Sequence, residues 1–483
     1  MDPITGSLLG LAVGDALGAP LEGMRGPHVQ QVFGEVADYV DPIAAFPDRP
    51  GKWRLVGLYT DETQQALAVA EVLAVHGEAD AQALADLYLR LANEGPPGAP
   101  FGGHRGAGHF FRRAVAAMAA ADDPRRCGQP SAGSGAAVRV APVALFYAED
   151  EEALARSAID LSLMTHCDPR GVAAALATAR AVACLARRGG DEKDRGNGSS
   201  RRSSSELLSI AEDLPGYLAE WETRLAREYR EFLDLQGDAD PRLHLFSETL
   251  APLAFLVRES NDELAAKSIV EQANACAPAA KITQPNASFA PALVVMALYR
   301  ALSAADFASG LTATVNAGGD ADTAGAATGA LLGARFGVDL IPARWIEGLL
   351  NADQIRLRAR ALAERGVDWS AWEDYVEMEK ALTERELAAF RRAEAEHHKA
   401  IERRKEREAE RRASRAKAAA KAAPPDLGFA PPPEIWLGGL RPPSDDAAPD
   451  RIRPADPVQA KKDKARRGRR RIAWKEERRK GSK

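Results

Sequence analysis

The chain has 483 residues, of which 46% are apolar, 6% aromatic and 28% charged, with a formal net charge of −5. No run of about 18 uncharged apolar residues occurs, which excludes a membrane span, and no basic stretch precedes the short apolar run Leu8–Val13, so no secretory signal is expected. Cys127, Cys167, Cys184 and Cys276 are scattered without a C-x-x-C pair, which argues against a disulfide framework or zinc site and suits a reducing cytoplasm.

The chain opens on GSLLGLAVGDALG, in which Gly6, Gly10, Gly14 and Gly18 recur every fourth residue. That spacing places them along one stripe of a helix. Each interior glycine costs a helix about 0.5–1 kcal/mol relative to alanine, so a close helix–helix contact is expected to compensate. Asp15 and Glu22 follow in an otherwise apolar setting. The next acidic segment, Thr60-Asp61-Glu62-Thr63, opens a helix whose apolar period covers Ala66–Val75. Helical periodicity continues at Ala83–Ala92, Gly171–Arg187, Ser205–Tyr229, Ala290–Leu302 and Thr323–Phe336, and strand-like alternation is almost absent. The body is therefore expected to be all-α. Arg187–Ser205 contains no apolar residue and reads as a flexible insertion over 188–205 between two helices.

A second glycine ladder, Gly325, Gly329, Gly333 and Gly337, follows the acidic segment Gly319-Asp320-Ala321-Asp322-Thr323. On one helix Asp320 and Asp322 would point about 200° apart. They converge only if Asp320 precedes the helix and Asp322 lies in its first turn, a geometry the Gly318-Gly319 pair permits. Taken singly, Thr60, Asp320 and Asp322 also read as ordinary helix caps. Taken together, they bring hydroxyls and carboxylates from two helix starts with no basic residue between them. Hard oxygen donors without His or Cys indicate Mg²⁺ or Mn²⁺, and the number of carboxylates suits two ions.

Beyond Trp372 the composition changes. Thr383–Ala422 is rich in Glu, Arg, Lys and Ala without Gly or Pro, and reads as a long solvated helix stopped by Pro424-Pro425. A Pro-rich and then basic tail follows, expected to be disordered. Residues 451–483 hold 15 Lys/Arg against 4 Asp/Glu, whereas residues 1–450 hold 49 against 65. The tail is an electrostatic footprint for nucleic acid, or else a solubilising segment or one that folds back on the acidic body.

GSLLGLAVGDALGAPLE, YTDETQ, GSGAAVRVAP (Gly133–Pro142), Thr165-His166 and VNAGGDADTAGAATGALLGARFG, in this order, resemble the signature of the ADP-ribosylglycohydrolase family, which includes the dinitrogenase-reductase-activating glycohydrolases. The resemblance runs from Gly6 to about Leu350. It implies a compact all-α catalytic domain over 1–366, followed by a charged helical extension over 367–422 and the tail 423–483. It implies metal ligands at Thr60, Asp61, Glu62, Asp320, Asp322 and Thr323, with Glu22 joining them in some members. It also implies that Ser131, Gly133, Ser134 and Gly135 belong to a loop holding the diphosphate of ADP-ribose, and that His166 lines the cleft. The expected cofactor is a pair of Mg²⁺ (or Mn²⁺) ions, and the expected substrate an ADP-ribosylated protein or ADP-ribosyl small molecule.

Departures from the family pattern are Glu62 and Ser134, where Asp and Asn are usual, and Ala321 in place of a threonine. His104-Arg105-Gly106 stands where some members carry an acid near the scissile bond. Cleavage of a glycosidic bond to ribose passes through an oxocarbenium-like state, and Glu22 or Asp61 is the candidate base for the attacking water. The rival readings are a non-catalytic ADP-ribose or nucleotide-binding module on the same fold, and a nucleic-acid-associated protein directed by the tail 451–483.

Overall fold

A computed structural model describes residues 2–187, 203–235, 242 and 245–422. Most of the insertion expected over 188–205, and the whole Pro-rich and basic tail 423–483, lie outside these residues. Among the described residues every regular element is a helix, and β pairing is limited to two isolated bridges. The six helices read from periodicity appear as Asp61–His76, Ala81–Asn93, Pro169–Ala186, Ser204–Glu228, Ala290–Ser303 and Ala321–Phe336. Their starts follow local chemistry. Ser203 and Glu206, for example, form a reciprocal capping box at the head of the Ser204–Glu228 helix.

At the centre, the Pro3–Gly18 helix packs antiparallel against the Ala321–Phe336 helix through the two glycine ladders. A Cβ atom on Gly6, Gly10 or Gly14 would stand 2.5, 2.3 or 2.0 Å from the carbonyl oxygen of Gly333, Gly329 or Gly325 respectively. The reverse holds too, since a Cβ on Gly329 would stand 2.0 Å from the oxygen of Gly10. The two backbones therefore touch directly, and dispersion over the shared stripe offsets the entropy cost of the glycines. The first helix does reach the length and mean hydropathy of a membrane span over Pro3–Leu21, but 89% of that stretch is buried inside the protein and it carries the buried Asp15. It is a core helix.

Both ladder helices end or begin at acidic residues. Asp15 lies in the last turn of the first, and Asp320 is the N-cap of the second. Gly318 and Gly319 adopt φ of 69° and 81°, the left-handed turn that lets Asp320 precede the helix while Asp322 enters its first turn. The segment after the first helix is tied to this turn, because the Gly23 N–H donates to the Gly319 carbonyl at 2.6 Å and the Gly319 N–H donates to the Met24 carbonyl at 2.6 Å. Close packing of the ladders thus delivers two acidic segments to one place.

One compact unit spans Met1–Ala409. The last helix begins at Tyr375, eight residues earlier than the solvated helix expected from composition at Thr383, and runs to Ala422. Its first three turns bury Tyr375, Val376, Met378, Glu379, Leu382, Thr383 and Glu386, whereas Ile401 to Ala418 are exposed.

Candidate functional site

The Asp61–His76 helix starts against the end of the first helix. Its N-cap residue, Thr60, makes no capping bond with its own side chain. The cap comes instead from Asp15, whose carboxylate is fully buried. Oδ1 of Asp15 accepts from the Thr60 N–H and hydroxyl, each at 2.9 Å, and Oδ2 accepts from the Thr63 N–H at 2.9 Å and its hydroxyl at 2.6 Å. A negative group at a helix N-terminus satisfies otherwise orphaned donors and the helix dipole together. Asp320 likewise makes no capping bond at the start of its helix. Capping by their own side chains, the simplest account of Thr60 and Asp320, is therefore set aside.

Side chains from the two helix starts meet at Thr323. The Thr323 hydroxyl lies 2.8 Å from both Glu62 Oε1 and Asp320 Oδ1. Asp61 Oδ2 accepts from the Gln65 amide at 2.9 Å. Burial, followed by the charges of Asp15, Glu22 and Asp320, pushes the Asp61 carboxyl up to about 7. Burial and neighbouring carboxylates also hold Glu62 and Asp322 well above the usual carboxylate range. Glu22 sits at the rim with its side chain 47% exposed, and its Oε2 is paired with Arg54 Nη2 at 2.9 Å. Lys52 donates to the Glu22 backbone carbonyl. The sequence suggested a cluster without basic neighbours, but the chain folds Lys52 and Arg54 back to its mouth.

Two oxygens decide how well this cluster suits a cation. Glu62 Oε2 and Asp322 Oδ1 are buried and have no hydrogen-bond partner. Two buried acceptors without donors, among carboxylates that raise one another's proton affinity, are costly unless a positive group meets them. The donors are all oxygens, the set a hard divalent cation takes. As the side chains stand, no three His, Cys, Asp or Glu among the described residues are grouped to hold a metal ion. The fit lies in the donor chemistry and the orphaned oxygens.

The second half of the site comes from residues 129–135 and 165–167. The Gln129 N–H donates to the Thr165 carbonyl at 3.0 Å and the Cys167 N–H to the Gln129 carbonyl at 2.9 Å, joining the two segments. The Ser131 hydroxyl accepts from the Gly133 N–H at 3.1 Å, and the Ala132 carbonyl accepts from the Ala290 N–H at 2.8 Å. Ser134 is buried just before the Gly135–Arg139 helix. A Cβ on Gly133 would lie 3.4 Å from His166 Nε2, and one on Gly135 would lie 4.0 Å from both Glu62 Oε1 and His166 Cε1. Every site residue expected from the sequence thus comes to one region, with the glycine loop between the acidic cluster and His166.

A buried chain of hydrogen bonds, not foreseen from the sequence, links the two halves. Gln65, bonded to Asp61, accepts from Arg139 Nη1 at 2.5 Å, and Arg139 Nη2 donates to the Thr165 hydroxyl. That hydroxyl lies 2.8 Å from His166 Nδ1. Arg139 can only donate, so the threonine oxygen accepts from it, and His166 Nε2 lies on the side of the glycine loop. Burial and then the Arg139 charge push His166 down to about 3, so it is a neutral ring rather than an acid. Arg139 thus pairs with amide and hydroxyl groups. His104 and Arg105 are both buried and turned away from the cluster, the first to the Tyr88 carbonyl and the second to Glu379.

Residues 1–372 match the family model described as ADP-ribosylglycohydrolase. The chain is 26% identical over 349 residues to the ADP-ribosyl-[dinitrogen reductase] glycohydrolase of Rhodospirillum rubrum, an alignment covering 72% of this chain and 90% of that one. It is also 26% identical over 368 residues to the ADP-ribosylhydrolase ARH3 of Homo sapiens, covering 74% and 92%. A solved structure described as an ADP-ribosylglycohydrolase-related protein complex superposes with a TM-score of 0.51 at 27% identity, over 76% of this chain and 98% of the other.

Proposed function

Because the chain belongs to the ADP-ribosylglycohydrolase family, we propose that it hydrolyses the glycosidic bond of ADP-ribose attached to protein side chains or to related acceptors, with Mg²⁺ or Mn²⁺ as cofactor. The observation that carries this reading is the pair of orphaned buried oxygens, Glu62 Oε2 and Asp322 Oδ1, in an all-oxygen cluster whose helix is capped by a different residue. A non-catalytic binding module would not need to retain so costly a constellation.

Thr60, Asp61, Glu62, Asp320, Asp322 and Thr323 would hold the ions. A bound pair of divalent cations supplies Lewis-acid polarisation and a water that loses its proton near neutral pH. The remaining roles fall to side chains. Ser131, Gly133, Ser134 and Gly135 place the diphosphate, and His166 presents Nε2 to the same cleft. Of the two candidate bases, Glu22 has the exposed carboxylate, while Asp61 is buried and its Oδ2 is engaged by Gln65. Glu22 therefore takes the proton of the attacking water, after release from Arg54. Asp61 serves as a ligand.

The test incubates the purified protein with Mg²⁺ and Arg-, Ser- and nucleotide-linked ADP-ribose, and measures release of free ADP-ribose. Turnover is expected on at least one substrate and should be lost in Asp61→Asn and Asp322→Asn. Those variants should keep the helical circular-dichroism signal, because charge changes and volume does not. ADP-ribose binding without turnover on any substrate would favour the binding module.

A further inference from the structure

The family match ends at residue 372, yet the helix that starts at Tyr375 reaches the back of the acidic segment. Glu379 is fully buried there. Its carboxylate accepts from the Tyr59 hydroxyl at 2.7 Å and the Gln64 amide at 2.8 Å, and pairs with Arg105 Nη2 at 2.7 Å. Each of these partners leads to the site. Tyr59 immediately precedes Thr60, and Gln64 follows Thr63. Arg105 precedes Gly106, where a Cβ would lie 3.1 Å from Asp61 Oδ1 and 3.3 Å from Thr60 Cβ.

Cross-links make the three act as one support. Arg105 Nε donates to the Tyr59 carbonyl at 3.1 Å, and the Arg105 N–H donates to Gln64 Oε1 at 2.8 Å. From the same helix, the Tyr375 hydroxyl donates to the Gln64 carbonyl at 2.9 Å, and the Thr383 hydroxyl donates to the Gly103 carbonyl at 2.6 Å. A helix that only packed on the body would use apolar contacts. Here one carboxylate gathers donors from both strands of chain that border Asp61.

We infer that Glu379 is a positioning residue for Thr60-Asp61-Glu62, so that the C-terminal helix beyond the family match forms part of the hydrolase. Outer groups that orient metal ligands typically change metal affinity or activity about 10–100-fold when removed, and an anchored ion pair with satisfied oxygens gives such support its stiffness. The inference rests on the metal-dependent reading given above, and its test separates the two.

The full-length chain is compared with Tyr59→Phe and with the double variant Arg105→Met, Glu379→Leu, which replaces the buried pair by apolar groups and so removes both of its charges together. Mg²⁺ is titrated by calorimetry, and kcat and KM are measured separately. The double variant is expected to stay folded, to bind Mg²⁺ about tenfold more weakly or worse, and to lose kcat with little change in KM. Tyr59→Phe keeps the Arg105–Glu379 pair and should weaken Mg²⁺ severalfold. Wild-type Mg²⁺ affinity and kcat in the folded double variant would overturn the inference alone. If the double variant does not fold, unchanged affinity in Tyr59→Phe overturns it. A wild-type chain that binds no Mg²⁺ would overturn the metal reading and this inference with it.

Discussion

Gly10 meets Gly329 so closely that a methyl group built on Gly10 would stand 2.3 Å from the Gly329 carbonyl oxygen and 3.1 Å from the Phe307 ring. The obstruction is backbone, which no rotamer change can relieve. Gly10→Ala and Gly329→Ala are each expected to destabilise the fold by about 2–3 kcal/mol, read as a lower denaturation midpoint at unchanged slope. Gly216, exposed in the Ser204–Glu228 helix with open space at its Cβ position, provides the opposite case. Gly216→Ala should stabilise by about 0.5–1 kcal/mol. Equal effects at Gly10 and Gly216 would refute the packing account.

Asp15 is not proposed to touch the metal, yet it holds the segment proposed to do so. In Asp15→Asn one carboxylate oxygen becomes an NH₂ group, which cannot accept the two donors of Thr63 or the two of Thr60. The expected result is a folded protein whose Mg²⁺ affinity and turnover fall about 10–100-fold. Calorimetric titration beside the Asp322→Asn variant checks it. Affinity unchanged from wild type would mean that the Thr60-Asp61-Glu62 geometry does not depend on this cap.

His104 lies among Phe101, Tyr88 and Phe111, with Nε2 donating to the Tyr88 carbonyl at 3.0 Å. Burial pushes its pKa down to about 4, against about 6.5 in an unfolded chain. Below pH 6.5 the unfolded chain gains a proton that the folded chain refuses until about pH 4, so stability from this residue is present above pH 6.5 and lost as pH falls. The stability difference between wild type and His104→Phe should therefore shrink by up to about 3 kcal/mol between pH 7 and pH 4. Denaturant midpoints at the two pH values measure it. A pH-independent difference would show that His104 titrates normally.

Deletion of residues 423–483 should leave turnover of a small ADP-ribosyl substrate near wild type, because the buried anchor of the last helix ends at Glu386. The same deletion removes residues 451–483, with their 15 basic side chains against 4 acidic. Any salt-sensitive affinity for RNA or DNA should disappear with them. Turnover and polyanion binding across a salt series, on both lengths of chain, give the result. Loss of turnover would place the tail in the catalytic unit, and salt-independent or absent binding by the full chain would end the nucleic-acid reading.

Much of the site was legible in the chain because its parts are local patterns. Four-residue glycine spacing among Leu, Ala and Val reads as a helix stripe, and the Gly318-Gly319 pair before Asp320 marks a turn that lets Asp320 and Asp322 converge. The order of motifs carried the family, the all-α fold and the residues expected to bind metal and substrate. The partners of those residues were not legible, because they are set by which element lies behind another. Asp15 looked like one more member of an acidic cluster until the Asp61–His76 helix was seen to start on its carboxylate. Arg139 gave no sign of its amide and hydroxyl socket, since Gln65 and Thr165 are distant in sequence. Glu379 lay in the charged extension 367–422, ahead of the solvated helix read from Thr383, and composition reports the exposed majority rather than the buried turns.

Local sequence thus determined which helices form and which oxygens are proposed as cation ligands. The tertiary structure decided which oxygens are left without a partner, because burial removes the water that would otherwise satisfy every one of them.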